Sequence, residues 1–162
     1  MRTPSALIRA IRGVSLSALL ATGLVLGGCA KKEVVGMHQD QPPHGGTPVA
    51  LGGNYHIEFV LNADSGTLSA YILDDEMEEF VRSDMRSFEV TAKAGGAEQL
   101  LVFKPVANSA TGETVGDTAL FTAQAEWLKT TKTFDAMIKS VTLDGTAFAD
   151  VKFNYPKGND TD

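Results

Sequence analysis

Three histidines, His38, His44 and His56, are the chain's only imidazoles, and Met37 precedes the first of them. Imidazole suits zinc and copper, and a thioether adds a soft donor for copper, so a metal site is one reading of these residues. Five residues separate His38 from His44 and eleven separate His44 from His56. Neither spacing matches a defined ligand signature, and polar side chains facing solvent are the competing reading. Asp74-Asp75-Glu76-Met77-Glu78-Glu79 places five carboxylates in six positions. Oxygen ligands of that kind could hold calcium, but the run lacks alternating ligands and a sharp-turn glycine. Like charges so close favour an exposed turn that discourages edge pairing. Nucleophilic chemistry has no Gly-x-Ser-x-Gly elbow to support it. Gly112-Glu113-Thr114-Val115-Gly116-Asp117 lacks the Lys-Ser/Thr of a phosphate loop. No catalytic residue is nominated, and the expectation is a protein that is not an enzyme.

The one cysteine, Cys29, stands at the end of a different kind of segment. Arg2, Arg9 and Arg12 give a basic start with no acid before Glu33, and Val14 to Leu26 is an apolar run of 13 residues. That is a signal-peptide core, too short to cross ~30 Å of hydrocarbon. It ends in Leu26-Gly27-Gly28-Cys29, which resembles the bacterial lipobox, where a peptidase cuts before a thiol that takes a diacylglyceryl group. Residues 1–28 are therefore read as a removed lipoprotein signal peptide and Cys29 as the lipidated residue. With Cys29 consumed, the remaining chain has no thiol for a disulfide or for catalysis. Ala30 and Lys31 follow with no Asp at the second position. In a Gram-negative cell this resembles the pattern sorted to the outer membrane, facing the periplasm.

The 162 residues are 43% apolar and 21% charged, a profile for one globular domain. The whole chain carries −6; without residues 1–28, 11 basic residues face 20 acidic ones, a charge of −9. Nucleic acid is excluded as a partner because phosphate binding needs a basic face. The same charge opposes a flat contact with anionic lipid, so attachment to the membrane falls to the lipid on Cys29.

The elements that would position these groups read as strands. Residues 29–48 hold Pro42, Pro43, Pro48, Gly36, Gly45 and Gly46 without an apolar period, the pattern of a flexible tether. Over 49–156 short apolar runs recur between turn signals, which predicts an all-β domain, an immunoglobulin-like antiparallel sandwich of about seven or eight strands. Residues 157–162 read as a disordered tail. In Tyr55-His56-Ile57-Glu58-Phe59-Val60-Leu61 the odd positions are apolar, which turns His56 and Glu58 away from the core. Ala147, Ala149, Val151, Phe153 and Tyr155 also alternate, with Phe148 as the exception, and Asp144-Gly145 joins them to Val141-Thr142-Leu143 as a tight hairpin. Further strands are predicted at 67–73, 79–82, 87–93, 99–104 and 119–123, and a short helical turn within 127–134. The aromatic residues, Phe80 included, are spread along the strands as core candidates, with Trp127 and Phe134 the nominees for a ligand pocket.

Pro43-His44-Gly45-Gly46-Thr47-Pro48-Val49, Tyr55 to Val60, Tyr71-Ile72-Leu73-Asp74 and Met77 to Arg82 together resemble a group of small uncharacterised bacterial lipoproteins. More distantly, residues 43–82 are similar to the N-terminal β-domain of heavy-metal efflux adaptors, where a His-Gly-Gly precedes a strand containing Glu. That resemblance implies an envelope β-domain in a metal context, with His44, His56 and Glu58 as the metal-binding positions for copper or zinc. The chain lacks an adaptor's coiled-coil hairpin and lipoyl-like segments. The resulting expectation is a non-catalytic, lipid-anchored cell-envelope protein whose β-domain binds an envelope protein or cell-wall partner. The alternative is a periplasmic metal-handling accessory related to heavy-metal efflux.

Overall fold

Alternation of apolar and polar residues, broken by glycine turns, dictates strands, and a computed structural model of the chain has eight among its described residues. It describes residues 41–159. The readings of 1–28, Cys29, Met37 and His38 lie outside the described residues, as do 160–162. The chain divides after Gly36, and everything described belongs to the second unit. The strands are β1 (Thr47–Leu51), β2 (Tyr55–Asn62), β3 (Thr67–Asp74), β4 (Phe88–Ala94), β5 (Ala97–Pro105), β6 (Leu120–Gln124), β7 (Phe134–Leu143) and β8 (Thr146–Tyr155). The expected helical turn is a short 3-10 segment, Glu126–Lys129, which buries Leu128. Among the described residues no helix is long and apolar enough to cross a membrane.

All pairings are antiparallel, in the order β1-β2-β3-β6-β5-β4-β7-β8 within one sheet. The sheet curls until its two edges meet, which makes it nearly a barrel. Asn159, just past β8, clips the edge of β1: its Oδ1 accepts from the Ala50 N–H at 2.8 Å and its Nδ2 donates to the Ala50 carbonyl at 3.0 Å. Gly158 makes this approach possible, since a Cβ there would collide with the Pro48 carbonyl. The tail read from 157 onward is thus structured through Asn159. At the other end, the tether read up to Pro48 gives way to structure earlier, because Thr47 and Pro48 already pair in β1.

The inner face carries the core. Phe59 on β2 stacks on Phe153 of β8 at 4.8 Å, and Phe103 on β5 stacks on Phe88 of β4 at 4.7 Å and meets Phe59 edge-on. Asp144-Gly145 makes the predicted hairpin, with φ of 48° and 77° and Leu143 opposite Thr146. The odd-position alternation predicted for β8 holds only in part. Val151, Phe153 and Tyr155 pack toward the core, whereas Ala147 and Ala149 are exposed and Phe148 packs inward. The cause is an irregularity between Glu89 and Val90 that lets β7 carry an extra residue: Ile138 and Val141, three apart, both face the core. On β8, Asp150 takes a φ of 55° at the same level, and the inward phase slips by one. The strand expected at 79–82 reduces to bridges at Phe80 and Ser83.

Candidate functional site

The register of three strands sets up the site. Pro48 of β1 lies opposite Glu58 of β2, Glu58 opposite Tyr71 of β3, and Tyr71 opposite Leu120 of β6, all on the outer face of the sheet. A carboxylate on an outward position would ordinarily sit in water. Glu58 instead has no exposed surface, because the His44-Gly45-Gly46 turn folds over it. Its Oε1 accepts the backbone N–H groups of His44 at 2.9 Å and Gly46 at 2.7 Å, and its Oε2 accepts from His44 Nδ1 at 2.8 Å. Three donors on one carboxylate meet the requirement that a buried charge be paired and hydrogen-bonded.

Each residue of the turn has a distinct reason to be there. Gly45 has a φ of 66° and open space where a Cβ would go, so it supplies conformation. Gly46 supplies proximity: a Cβ there would stand 2.6 Å from the Phe59 carbonyl and 2.9 Å from Glu58 Cγ. His44 then lies flat on Tyr71, with ring centroids 3.8 Å apart and planes 16° from parallel, and Phe80 tilts against both.

Phe80 reaches this place through the acidic run. Asp74 Oδ1 accepts from the N–H groups of Glu78 and Glu79, at 2.9 and 3.1 Å, and closes the chain into a tight reversal that leads Phe80 back beside Leu73. The carboxylates therefore organise a turn, and Asp75 and Glu76 at its tip are exposed as expected. Phe80 is 50% exposed, which corrects its reading as a core residue.

A cleft of about 380 Å³ opens between these rings and the 108–113 loop, with Arg82, Glu113 and Leu120 completing its walls. Arg82 holds the loop down, donating to Asp117 Oδ2 at 3.1 Å and to the Thr111 carbonyl at 2.7 Å. Glu113 holds it from the other side, accepting from the Ala119 N–H and the hydroxyls of Thr111 and Thr118. Burial pushes the Glu113 carboxyl up, but these three bonds and the Arg82 charge outweigh it and hold it below the usual range. Burial, and then the Glu58 charge, push the Tyr71 hydroxyl up, so it stays protonated as a donor at neutral pH.

The arrangement offers a stacked ring surface, a tyrosine hydroxyl and one imidazole nitrogen, His44 Nε2, that has no partner among the described residues. That is recognition chemistry. Of the three residues nominated for metal, the structure brings His44 and Glu58 into direct contact. His56 is apart from that contact, with its Nδ1 3.3 Å from the Asp74 carbonyl. Glu58 is fully buried with both oxygens engaged by protein donors, so His44 Nε2 is the atom of this pair that faces a metal. Among the described residues no group of three His, Cys, Asp or Glu side chains is placed to hold a metal ion. Trp127 and Phe134, the aromatic nominees for a pocket, meet edge-on at 5.2 Å against the core and do not line the cleft. The residues that sequence reasoning missed here are Tyr71, Phe80 and Arg82. The period-two pattern of β2 could have found Tyr71, as the outward neighbour of Glu58, only with the register in hand. No family model, curated protein or solved structure matches the chain.

Proposed function

We propose that this is a non-catalytic, lipid-anchored cell-envelope protein whose β-domain binds an envelope partner at the His44–Tyr71–Phe80 cleft. The observation that carries the reading is Phe80, a large apolar ring left half in water at the mouth of a cleft whose other walls are fixed by hydrogen bonds. A half-exposed aromatic on a preorganised surface loses little freedom on binding and contributes much contact area. The lipid on Cys29 would confine the domain to a thin layer and raise its effective concentration beside envelope proteins or the wall. The likeness to small lipoproteins and to efflux-adaptor β-domains is supported by the joint role of His-Gly-Gly and the strand glutamate as one clamp. The immunoglobulin-like description is supported by the β5–β6 seam, only two residue pairs long, which separates two four-stranded halves facing each other across the phenylalanine core.

Photo-crosslinking in intact cells tests the reading. A photoreactive phenylalanine analogue at position 80 should give a discrete adduct that Tyr71→Ala removes, while the same analogue at the exposed Val115 gives none. Absence of a reproducible adduct at position 80 would overturn it.

One observation favours a second reading, the metal-handling accessory. The Glu58–His44 bond has the form of a carboxylate orienting a metal-ligating imidazole, which would leave Nε2 for copper or zinc. Titration with Cu(I), Cu(II) and Zn(II) decides it. Binding tighter than ~10 μM that His44→Ala abolishes supports this reading, and its absence ends it.

A further inference from the structure

The outer face of β5 carries a pattern unrelated to the cleft. Leu101 and Phe103 point into the core, 2% and 0% exposed, so Glu98, Leu100, Val102 and Lys104 point outward, and all four are exposed. Leu100 and Val102, at 54% and 39%, form an apolar pair on the open surface of the sheet. Single exposed apolar residues are ordinary, but two adjacent ones on the same outer strand face invite cover. Glu98 and Lys104 bracket them. Neither makes an ion pair among the described residues, and Lys93, beside Glu98 across the β4–β5 ladder, makes none with it.

The order along the stripe is acid, apolar, apolar, base, and it is its own complement when reversed. We propose that a second copy of this chain docks here, outer face of β5 against outer face of β5. The two-fold axis would run perpendicular to the strands at the level of Leu101. That operation sets Glu98 opposite Lys104 of the partner subunit, and Lys104 opposite Glu98 of the partner subunit. It also covers Leu100 with Val102 of the partner subunit. A parallel alignment would place like charges together, so the stripe specifies the antiparallel one. At ~3.4 Å per residue the contact runs about 20 Å, the footprint of a modest interface. None of its four residues belongs to the cleft, so the inference stands or falls separately from the proposed function.

The test is sedimentation velocity on the full chain as cells deliver it, in detergent, over concentrations up to about 100 μM. The wild type should show a monomer–dimer equilibrium. Glu98→Lys and Lys104→Glu should each weaken it about tenfold or more, since the two-fold doubles every charge change. The double variant Glu98→Lys/Lys104→Glu should restore association, and Leu100→Asp should abolish it. Thermal melts of these surface variants should match the wild type, which separates loss of docking from loss of fold. A wild type that stays monomeric overturns the inference. So does a dimer indifferent to the single reversals, or a charge swap that fails to rescue.

Discussion

Glu58 is where the molecule departs most from what its neighbours in sequence announce. A carboxylate alternating with Ile57 and Phe59 reads as a solvent-facing residue, and its strand position is indeed outward. What the pattern does not convey is that a turn twelve to fourteen residues earlier returns to cover it, because burial there depends on Gly46 touching β2 rather than on any period. Truncation should therefore be costly. Glu58→Ala strands the His44 and Gly46 N–H groups and should lower stability by about 3 kcal/mol, read as a shift in urea midpoint. Glu58→Gln keeps an acceptor at Oε1 and should cost clearly less, and an equal loss in both variants would contradict the clamp. Glu113 allows a second check at this scale. Its carboxyl lies below the usual value in the folded chain. Its contribution is therefore complete above the ordinary glutamate value of ~4.3 and is lost as pH falls through the lower folded value. The stability gap between wild type and Glu113→Gln should be widest near neutrality and narrow over the acid range below ~4.3, as followed by denaturant unfolding at stepped pH. A gap constant with pH would mean that the loop is held without that charge.

Strands were legible wherever alternation met a turn residue. β2 and β3 have the predicted extents within a residue, and Asp144-Gly145 makes the predicted turn, because period-two burial and positive-φ turns are local properties. Phe148 shows the limit of that reading. Its misfit with Ala147 and Ala149 records the phase slip at the Asp150 level, and only the pairing of β7 with both β4 and β8 reveals why. All of β1 also escaped, since proline and glycine beside it mimic a tether, and so did the N-terminal part of β7, where consecutive polar Lys139 and Ser140 interrupt the alternation. Edge closure was invisible for a different reason: a side chain rather than a strand completes it. Asn159 satisfies both backbone groups of Ala50, and Asn159→Ala should cost about 1–2 kcal/mol for the two bonds. Amide exchange at Ala50 should quicken by a larger factor than at Val90 in the central strands, where pairing on both sides remains. Uniform acceleration across the sheet would show that the clip stabilises the whole fold rather than the seam.

For the molecule as a whole, composition and charge carry more of the argument than any one contact. The core links the first strands to the last, since Phe59 meets both Phe103 and Phe153, and the domain needs no disulfide to hold it. On the proposed reading, in which residues 1–28 are removed, the remaining chain carries −9, a charge that an anionic leaflet repels. The proposed attachment through the thiol of Cys29 would then be hydrophobic, and two or three buried acyl chains at ~0.8 kcal/mol per CH₂ would make it insensitive to salt. Two fractionation results should follow. Washing membranes with 1 M salt or at high pH, which strips electrostatically held proteins, should leave the wild type in the pellet. Cys29→Ser should move the protein to the soluble fraction or leave it uncut as a larger species. Its melting curve should change little if it is recovered in cut form, because residue 29 lies well before the first bonded turn among the described residues, at Pro42–Gly45. Release of the wild type by salt alone would place the attachment on the protein surface and remove the lipid from the account.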